Sequence, residues 1–207
     1  MSTLLRIDSS ARINGSHSSR LADLAEESWF EANPGGRILR RHVGAETIPV
    51  LSQETITGFY AASDEMTDEL KQATSISDAL IGELHSADTL LLAVPIYNFG
   101  VPAALKCWID QVTRMGQTFA YEDGSFKGLL TIQRAIVICA YGSEGYLPGQ
   151  SFEQANFLEP YLRFLLSFLG INEIDIINVQ ATTADDATVA AHLAGARADI
   201  TAAFAPK

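Results

Sequence analysis

Three short stretches of this 207-residue chain combine residue types that hold anions or flat rings. The first is Asp8-Ser9-Ser10 followed by Asn14-Gly15-Ser16-His17-Ser18-Ser19-Arg20, a hydroxyl-rich loop that runs into a helical pattern. Hydroxyls and the free N–H groups of a helix start can surround a phosphate without lysine. Ordinary N-capping by Ser16 or Ser18 is the competing reading. A single cap needs one hydroxyl and this stretch offers five, which favours more than capping. The second stretch is Pro95-Ile96-Tyr97-Asn98-Phe99-Gly100-Val101-Pro102. Its prolines pre-set the backbone, so N–H and C=O groups can face a planar ligand with little entropy to lose. Asn98 can donate and accept, as the N5 and O4 edge of a flavin requires, and Tyr97 and Phe99 can form apolar walls. The alternative is a packed loop whose aromatics fill the core. The third stretch, Ala140-Tyr141-Gly142-Ser143-Glu144-Gly145-Tyr146, has glycines that permit close backbone approach.

The elements that must position these stretches alternate between strand and helix. Thr3–Ile7 reads as a strand, and from Ser18 the residues Leu21, Leu24, Ala25 and Trp29 share a helical face. Asn33-Pro34-Gly35-Gly36 stops that helix. Arg37–Val43 is a charged strand suited to a sheet edge. The stretch from Gly44 to Met66, with Phe59 and Tyr60, reads as a long loop and a wall of a pocket. A helix follows over Thr67 to about His85, then a nearly all-apolar strand at Thr89–Val94. Pro102 opens a helix whose stripe is Leu105, Trp108, Ile109 and Val112. Phe119–Gly128 is a small excursion turning at Asp123-Gly124. Arg134–Ala140 is a strand, a helix runs from Pro160 to Gly170, and Ile174–Val179 is the last strand. A final helix starts near Thr183 with Asp185 and Asp186 in its first turn. This βα alternation predicts one doubly wound α/β domain over residues 1–207, with a parallel sheet and helices on both faces, and its five strands fit the flavodoxin-like order 2-1-3-4-5 as well as any other. In such a sheet a ligand sits beyond the C-terminal strand ends, and the three unusual stretches follow the first, third and fourth strands.

Composition narrows the chemistry. A net charge of -11 disfavours nucleic acid and anionic membranes. No apolar run is long enough to span a bilayer and no signal-type leader is visible, so the expected location is the cytoplasm. The two cysteines, Cys107 and Cys139, read as small packed residues and not as metal ligands. His42, His85 and His192 lack metal-like spacing. His17 either senses a phosphate's charge or offers only its backbone N–H, and the second reading is preferred. A Gly-x-Ser-x-Gly elbow, a Gly-x-x-x-x-Gly-Lys phosphate loop and a Gly-x-Gly-x-x-Gly dinucleotide turn are all missing from the sequence.

Taken together, Gly15–Ser18, the Pro95-Ile96-Tyr97-Asn98-Phe99 block with Leu105-Lys106, and the Gly142 loop make the chain resemble the FMN-dependent NADH-azoreductases, relatives of the flavodoxin-like NAD(P)H:quinone reductases, over nearly its whole length. The resemblance implies tight, non-covalent FMN, with Ser10, Ser16, His17 and Ser18 at the ribityl phosphate. It places Pro95, Ile96, Tyr97, Asn98 and Phe99 along the isoalloxazine, and Ala140, Tyr141, Gly142 and Ser143 on the other side of the ring. Many members carry Arg-Gly-Gly where this chain has Tyr141-Gly142-Ser143. Tyr121 matches a position of the family's substrate pocket, to which Phe59 is added as part of the wall expected from the 44–66 stretch. The resemblance further implies NADH or NADPH as donor, azo and quinone acceptors, and a homodimer with its active site at the subunit interface. Two substrates sharing one pocket would give ping-pong kinetics, the protein supplying position and electrostatics and the flavin the redox chemistry. A one-electron carrier of the flavodoxin type and a regulatory module are the alternatives.

Overall fold

The computed structural model describes residues 2–205. Seven strands and six helices follow one another as β1 (Thr3–Asp8), α1 (His17–Ala32), β2 (Arg37–His42), α2 (Gln53–Tyr60), α3 (Asp68–His85), β3 (Thr89–Pro95), α4 (Ala103–Val112), β4 (Phe119–Glu122), β5 (Ser125–Gly128), β6 (Arg134–Ala140), α5 (Glu159–Phe168), β7 (Glu173–Val179) and α6 (Asp186–Ala203), with a 3-10 turn at Glu153–Ala155. Five strands form a parallel sheet in the order β2-β1-β3-β6-β7. Without the β4–β5 hairpin this is the expected 2-1-3-4-5 order of a flavodoxin-like fold.

The three central strands are nearly continuous apolar runs because helices cover both of their faces. Alternate side chains feed two cores. Leu5, Ile7, Leu90, Leu92, Val137 and Cys139 pack with α3, α4 and α5, whereas Leu4, Leu91, Ala93, Ile136 and Ile138 pack with α1 and α6. The charged strand β2 lies at an edge, as its sequence requires.

Two sequence expectations change. The stretch 44–66 is not a bare loop. Ser52 caps the short helix α2, which seats Thr55 and Gly58 on α3. A Cβ at Gly58 would come within 2.6 Å of Thr74 Cγ2, so glycine permits the close approach. The helix hides in sequence because Thr55, Ile56, Thr57 and Gly58 are poor helix formers and tertiary packing overrides them. The last helix starts later than expected, because Asp185 is its N-cap, accepting from the N–H groups of Ala187 and Thr188. Phe119–Gly128 is a hairpin whose turn puts Asp123 and Gly124 at φ of 51° and 80°, the backbone form that Asp-Gly favours.

A buried ion pair interrupts the apolar run of β1. Arg6 on β1 is only 5% exposed and faces α1. Its guanidinium reaches Asp8 at 2.7 Å, Asp23 at 2.8 Å and Glu26 at 3.3 Å, and donates to the Ser19 carbonyl at 3.1 Å. The cluster ties the first half of α1 to β1. Replacing Arg6 by Met leaves Asp8 buried without its cation, whereas Glu26 keeps Arg40, and the loss is expected to cost about 3–5 kcal/mol. The double variant Arg6→Met/Asp8→Asn is expected to regain part of that loss. Urea unfolding of both variants checks this, and an unchanged midpoint for Arg6→Met would refute it.

Candidate functional site

The C-terminal ends of β1, β3 and β6 open into one cleft. Ser10, Ser16, His17 and Ser18 line it on one side, with Pro95, Ile96 and Tyr97, and Ala140 and Gly142, on the others. Nine of the expected site residues thus meet at one rim of the sheet.

The serine side is built by the start of α1. Ser16 sits in extended backbone as N-cap, and its Oγ accepts from the Ser19 N–H at 3.3 Å and lies 3.1 Å from Ser18 Oγ. Both serines are buried. Capping and cleft lining are therefore not rival readings, since one hydroxyl caps while the main-chain N–H groups of His17 and Ser18 lie in the first turn, beyond reach of any helical carbonyl. Buried His17 Nδ1 has no hydrogen-bond partner among the described residues. Partial burial, Arg20 and Arg12 lower the histidine's pKa, so the ring is held neutral.

The facing wall is a tight turn. Tyr97 and Gly100 exchange backbone hydrogen bonds at 3.0 and 3.1 Å, and Asn98 and Phe99 between them have φ of 46° and 74°. Tyr97 Oη accepts the Ala11 N–H at 3.1 Å and lies 3.5 Å from Ser10 Oγ. The tyrosine hydroxyl thus bridges the serine loop and the turn. The third wall is fixed by Ile96 N–H to Ala140 O at 2.8 Å.

Other expected residues lie elsewhere. Asn98 lines an adjoining open groove with Val50, Val101, Lys106, Cys107 and Tyr161. Phe99 is exposed, and its carbonyl accepts from Phe157 N–H at 3.0 Å. Ser143 is exposed and outside the cleft lining. Tyr141 is not among the residues lining the cleft, because its side chain points into the core. It is fully buried, stacks on Tyr146 at 5.2 Å, and its hydroxyl accepts from Asn156 Nδ2 at 3.3 Å. Burial pushes its pKa far up, so it stays neutral. The reason is strand alternation: Ala140 faces the cleft, so Tyr141 faces away. Phe59 is also set apart, beneath the Arg114 guanidinium at 4.6 Å on α2. Tyr121 sits on the hairpin against Phe126 at 5.0 Å. Neither lines the cleft within one chain. Cys139 is buried, and burial raises its thiol pKa far above the usual range, consistent with a packing role.

Gly15 of the Gly15–Ser18 motif also lines the cleft, and three lining residues escaped the sequence reading: Arg12, Thr182 and Thr183. The threonines follow β7 and hold the Gly142 loop, since Thr182 Oγ1 donates to Tyr141 O at 3.0 Å and Thr183 Oγ1 to Gly142 O at 2.9 Å. Gln180 joins them, accepting the N–H groups of Gly145 and Tyr146. The available signal was a hydroxyl pair at a strand end.

The lowered His17 pKa fixes a pH dependence for the flavin-free protein. Above the ordinary value of 6.5 the ring is neutral both folded and unfolded, so it contributes nothing. Below 6.5 the unfolded chain takes up the proton more readily, and the folded state loses stability. Thermal unfolding of His17→Asn is expected to fall less steeply than wild type as pH drops below 6.5. Identical slopes would remove the argument.

Comparison with known proteins agrees with this geometry. A family model described as flavodoxin-like fold matches residues 2–204. An FMN-dependent NADH:quinone oxidoreductase of Xanthobacter autotrophicus is 46% identical over 176 residues, covering 85% of each chain. An FMN-dependent NAD(P)H:quinone oxidoreductase of Pseudomonas aeruginosa is 35% identical over 182 residues, covering 86% of each. An FMN-dependent NADH-azoreductase of Bacillus anthracis, solved in complex with FMN, superposes with a TM-score of 0.87 at 24% identity over 99% of this chain and 98% of that one, a likeness of fold. With that extent of shared sequence and the three strand-end loops meeting at one rim, the chain belongs to the flavodoxin-like FMN-dependent NADH:quinone oxidoreductases.

Proposed function

We propose that this protein is an FMN-dependent oxidoreductase that reduces quinones and azo compounds with electrons from NADH or NADPH, acting as one domain over the whole chain. The observation that carries the reading is the convergence of a hydroxyl-and-N–H cradle, a rigid aromatic turn and a glycine loop on a single cleft at the C-terminal rim of the sheet. The donor set fits a phosphate-tailed planar ring. Ser10, Ser16 and Ser18 with the first turn of α1 suit the phosphate, and the unpartnered His17 Nδ1 adds a polar atom on the same side. On this reading Pro95, Ile96, Tyr97, Asn98 and Phe99 flank the isoalloxazine. Ala140 and Gly142 approach from the other side, and Tyr141 and Ser143 contribute through the main chain of that loop. When bound, FMN supplies two-electron redox chemistry between the nicotinamide donor and the acceptor.

The chain's own share is orientation and shielding. The Tyr97–Gly100 turn is held by its paired hydrogen bonds and the Phe157 contact, so it presents a fixed wall. With one cleft to serve both, donor and acceptor would enter in turn, and the kinetics would be ping-pong. The pocket is completed by a second copy of the chain. In support, the groove beside Asn98 is lined by Val50, Val101 and Phe157, and Phe157, Phe164 and Val50 are each more than 60% exposed. Exposed apolar area of this kind marks interaction surfaces. In the dimer Tyr121 and Phe59 are assigned to the substrate pocket across the interface. A cytoplasmic setting matches a reductase that draws on the nicotinamide pool.

Purified protein with FMN is expected to be yellow, to bleach on addition of NADH under nitrogen, and to regain colour with a quinone. Parallel double-reciprocal lines are expected. A protein that binds FMN but ignores NADH would favour a one-electron carrier. Tyr97→Phe removes the strut between serine loop and turn, and a lost hydrogen bond of about 0.5–1.5 kcal/mol corresponds to roughly 2- to 10-fold weaker FMN binding. Light scattering is expected to give twice the chain mass, and a monomeric mass would remove the shared-pocket reading.

A further inference from the structure

The serine cradle has donors but few charges. Hydroxyls and backbone N–H groups are neutral, whereas a phosphate monoester carries about -1.5 to -2 at pH 7. The chain as a whole, at -11, offers such a group no help. The arginines differ in what they do about this. Arg6, Arg40, Arg41, Arg114, Arg134 and Arg163 are each ion-paired with a carboxylate. Arg12, Arg20, Arg37 and Arg197 have no carboxylate partner among the described residues, and of these Arg12 is the one that lines the cleft with Ser10, Ser16 and Ser18.

Its position is set by the main chain. The Arg12 N–H donates to Ser10 Oγ at 3.1 Å, and the neighbouring Ala11 N–H donates to Tyr97 Oη at 3.1 Å. The residue is therefore anchored between the serine loop and the aromatic turn, while its side chain stays solvated. Its field already reaches the cradle, because it is one of the two cations that disfavour a proton on His17. A guanidinium in this position is matched to phosphate oxygens in geometry and charge.

We propose that Arg12 supplies the countercharge for the FMN phosphate and is the residue by which this cleft selects phosphorylated flavin over riboflavin. This rests on the flavin reading of the cleft. The rival assignment, in which Arg12 meets a phosphate of the nicotinamide donor, is decided by the same experiment.

Flavin-free protein is titrated with FMN and with riboflavin, following the quenching of flavin fluorescence. Arg12→Ala is expected to weaken FMN about 10- to 100-fold, the worth of a hydrogen bond to a charged group, and to leave riboflavin within about 2-fold. Arg12→Lys is expected to fall between wild type and Arg12→Ala for FMN. Raising the salt concentration weakens FMN binding to wild type more steeply than to Arg12→Ala. Equal losses for both flavins would overturn the proposal, as would unchanged FMN affinity with a raised KM for NADPH. Ser18→Ala separates the two levels of failure. If Ser18→Ala weakens FMN and Arg12→Ala does not, only the arginine's assignment falls. If neither variant changes the binding of either flavin, the cleft is not the flavin site and both readings fall together.

Discussion

The parallel pairing of β3 with β1 on one side and β6 on the other is the constraint on which the cleft depends. Parallel strands all end at the same rim, so three loops far apart in sequence are delivered to one place. Further hydrogen bonds then stitch that rim beyond the strands. Ser9 donates to Ala93 O through both its N–H, at 3.1 Å, and its Oγ, at 2.9 Å. Ile96 N–H reaches Ala140 O and Tyr141 N–H reaches Val179 O, both at 2.8 Å. Between β1 and β3 the chain's winding reverses, and the loops that leave these strands part to opposite faces of the sheet. The crevice is what that parting leaves.

Side-chain alternation then sorts the rim residues into two tiers. Ala140 presents to the cleft and Tyr141 to the core, where Tyr146, Asn156 and Cys139 surround it. The loop after β6 is thus anchored by a buried phenol and left small where it borders the cleft. A family arginine in place of Tyr141 could not occupy that apolar slot unpaired, because a buried charge demands a partner. In this chain the loop is therefore held by a core aromatic. Gln180, Thr182 and Thr183 complete the support from β7 by hydrogen bonds to the loop's backbone, so the end of the sheet farthest from the serine loop still shapes the cleft.

Much of this was legible in sequence. Central strands buried on both faces read as unbroken apolar runs, and β3 and β6 have that form. The serine loop and the Tyr97–Gly100 turn stood out because their residue types have local physical meanings. What could not be read was tertiary in origin. The role of Arg12 depends on having no acidic neighbour, which is a property of the folded surface. The direction of Tyr141 depends on where β6 ends its alternation. Phe59 sits on a helix that propensity argues against, stabilised by Thr74 and α3. The histidine's lowered pKa likewise needs the burial that the fold imposes on its ring, to which Arg20 and Arg12 add.

The Tyr97–Gly100 turn shows why strain belongs at this rim. Asparagine tolerates a positive φ, but Phe99 at 74° does not do so freely, and such a residue costs of order 1–3 kcal/mol. Its ring is also 51% exposed, so the isolated chain gains little burial in return. A glycine there would relieve the backbone and give a looser turn. The phenylalanine is held in place by the paired hydrogen bonds of Tyr97 with Gly100 and by Phe157. The same short turn borders two spaces, the cleft through Tyr97 and the open groove through Tyr97 and Asn98. Any surface that fills the groove must press on a wall of the cleft. A stiff turn transmits that contact, whereas a relaxed one would absorb it, and so the cost in local conformation follows from serving both sides at once.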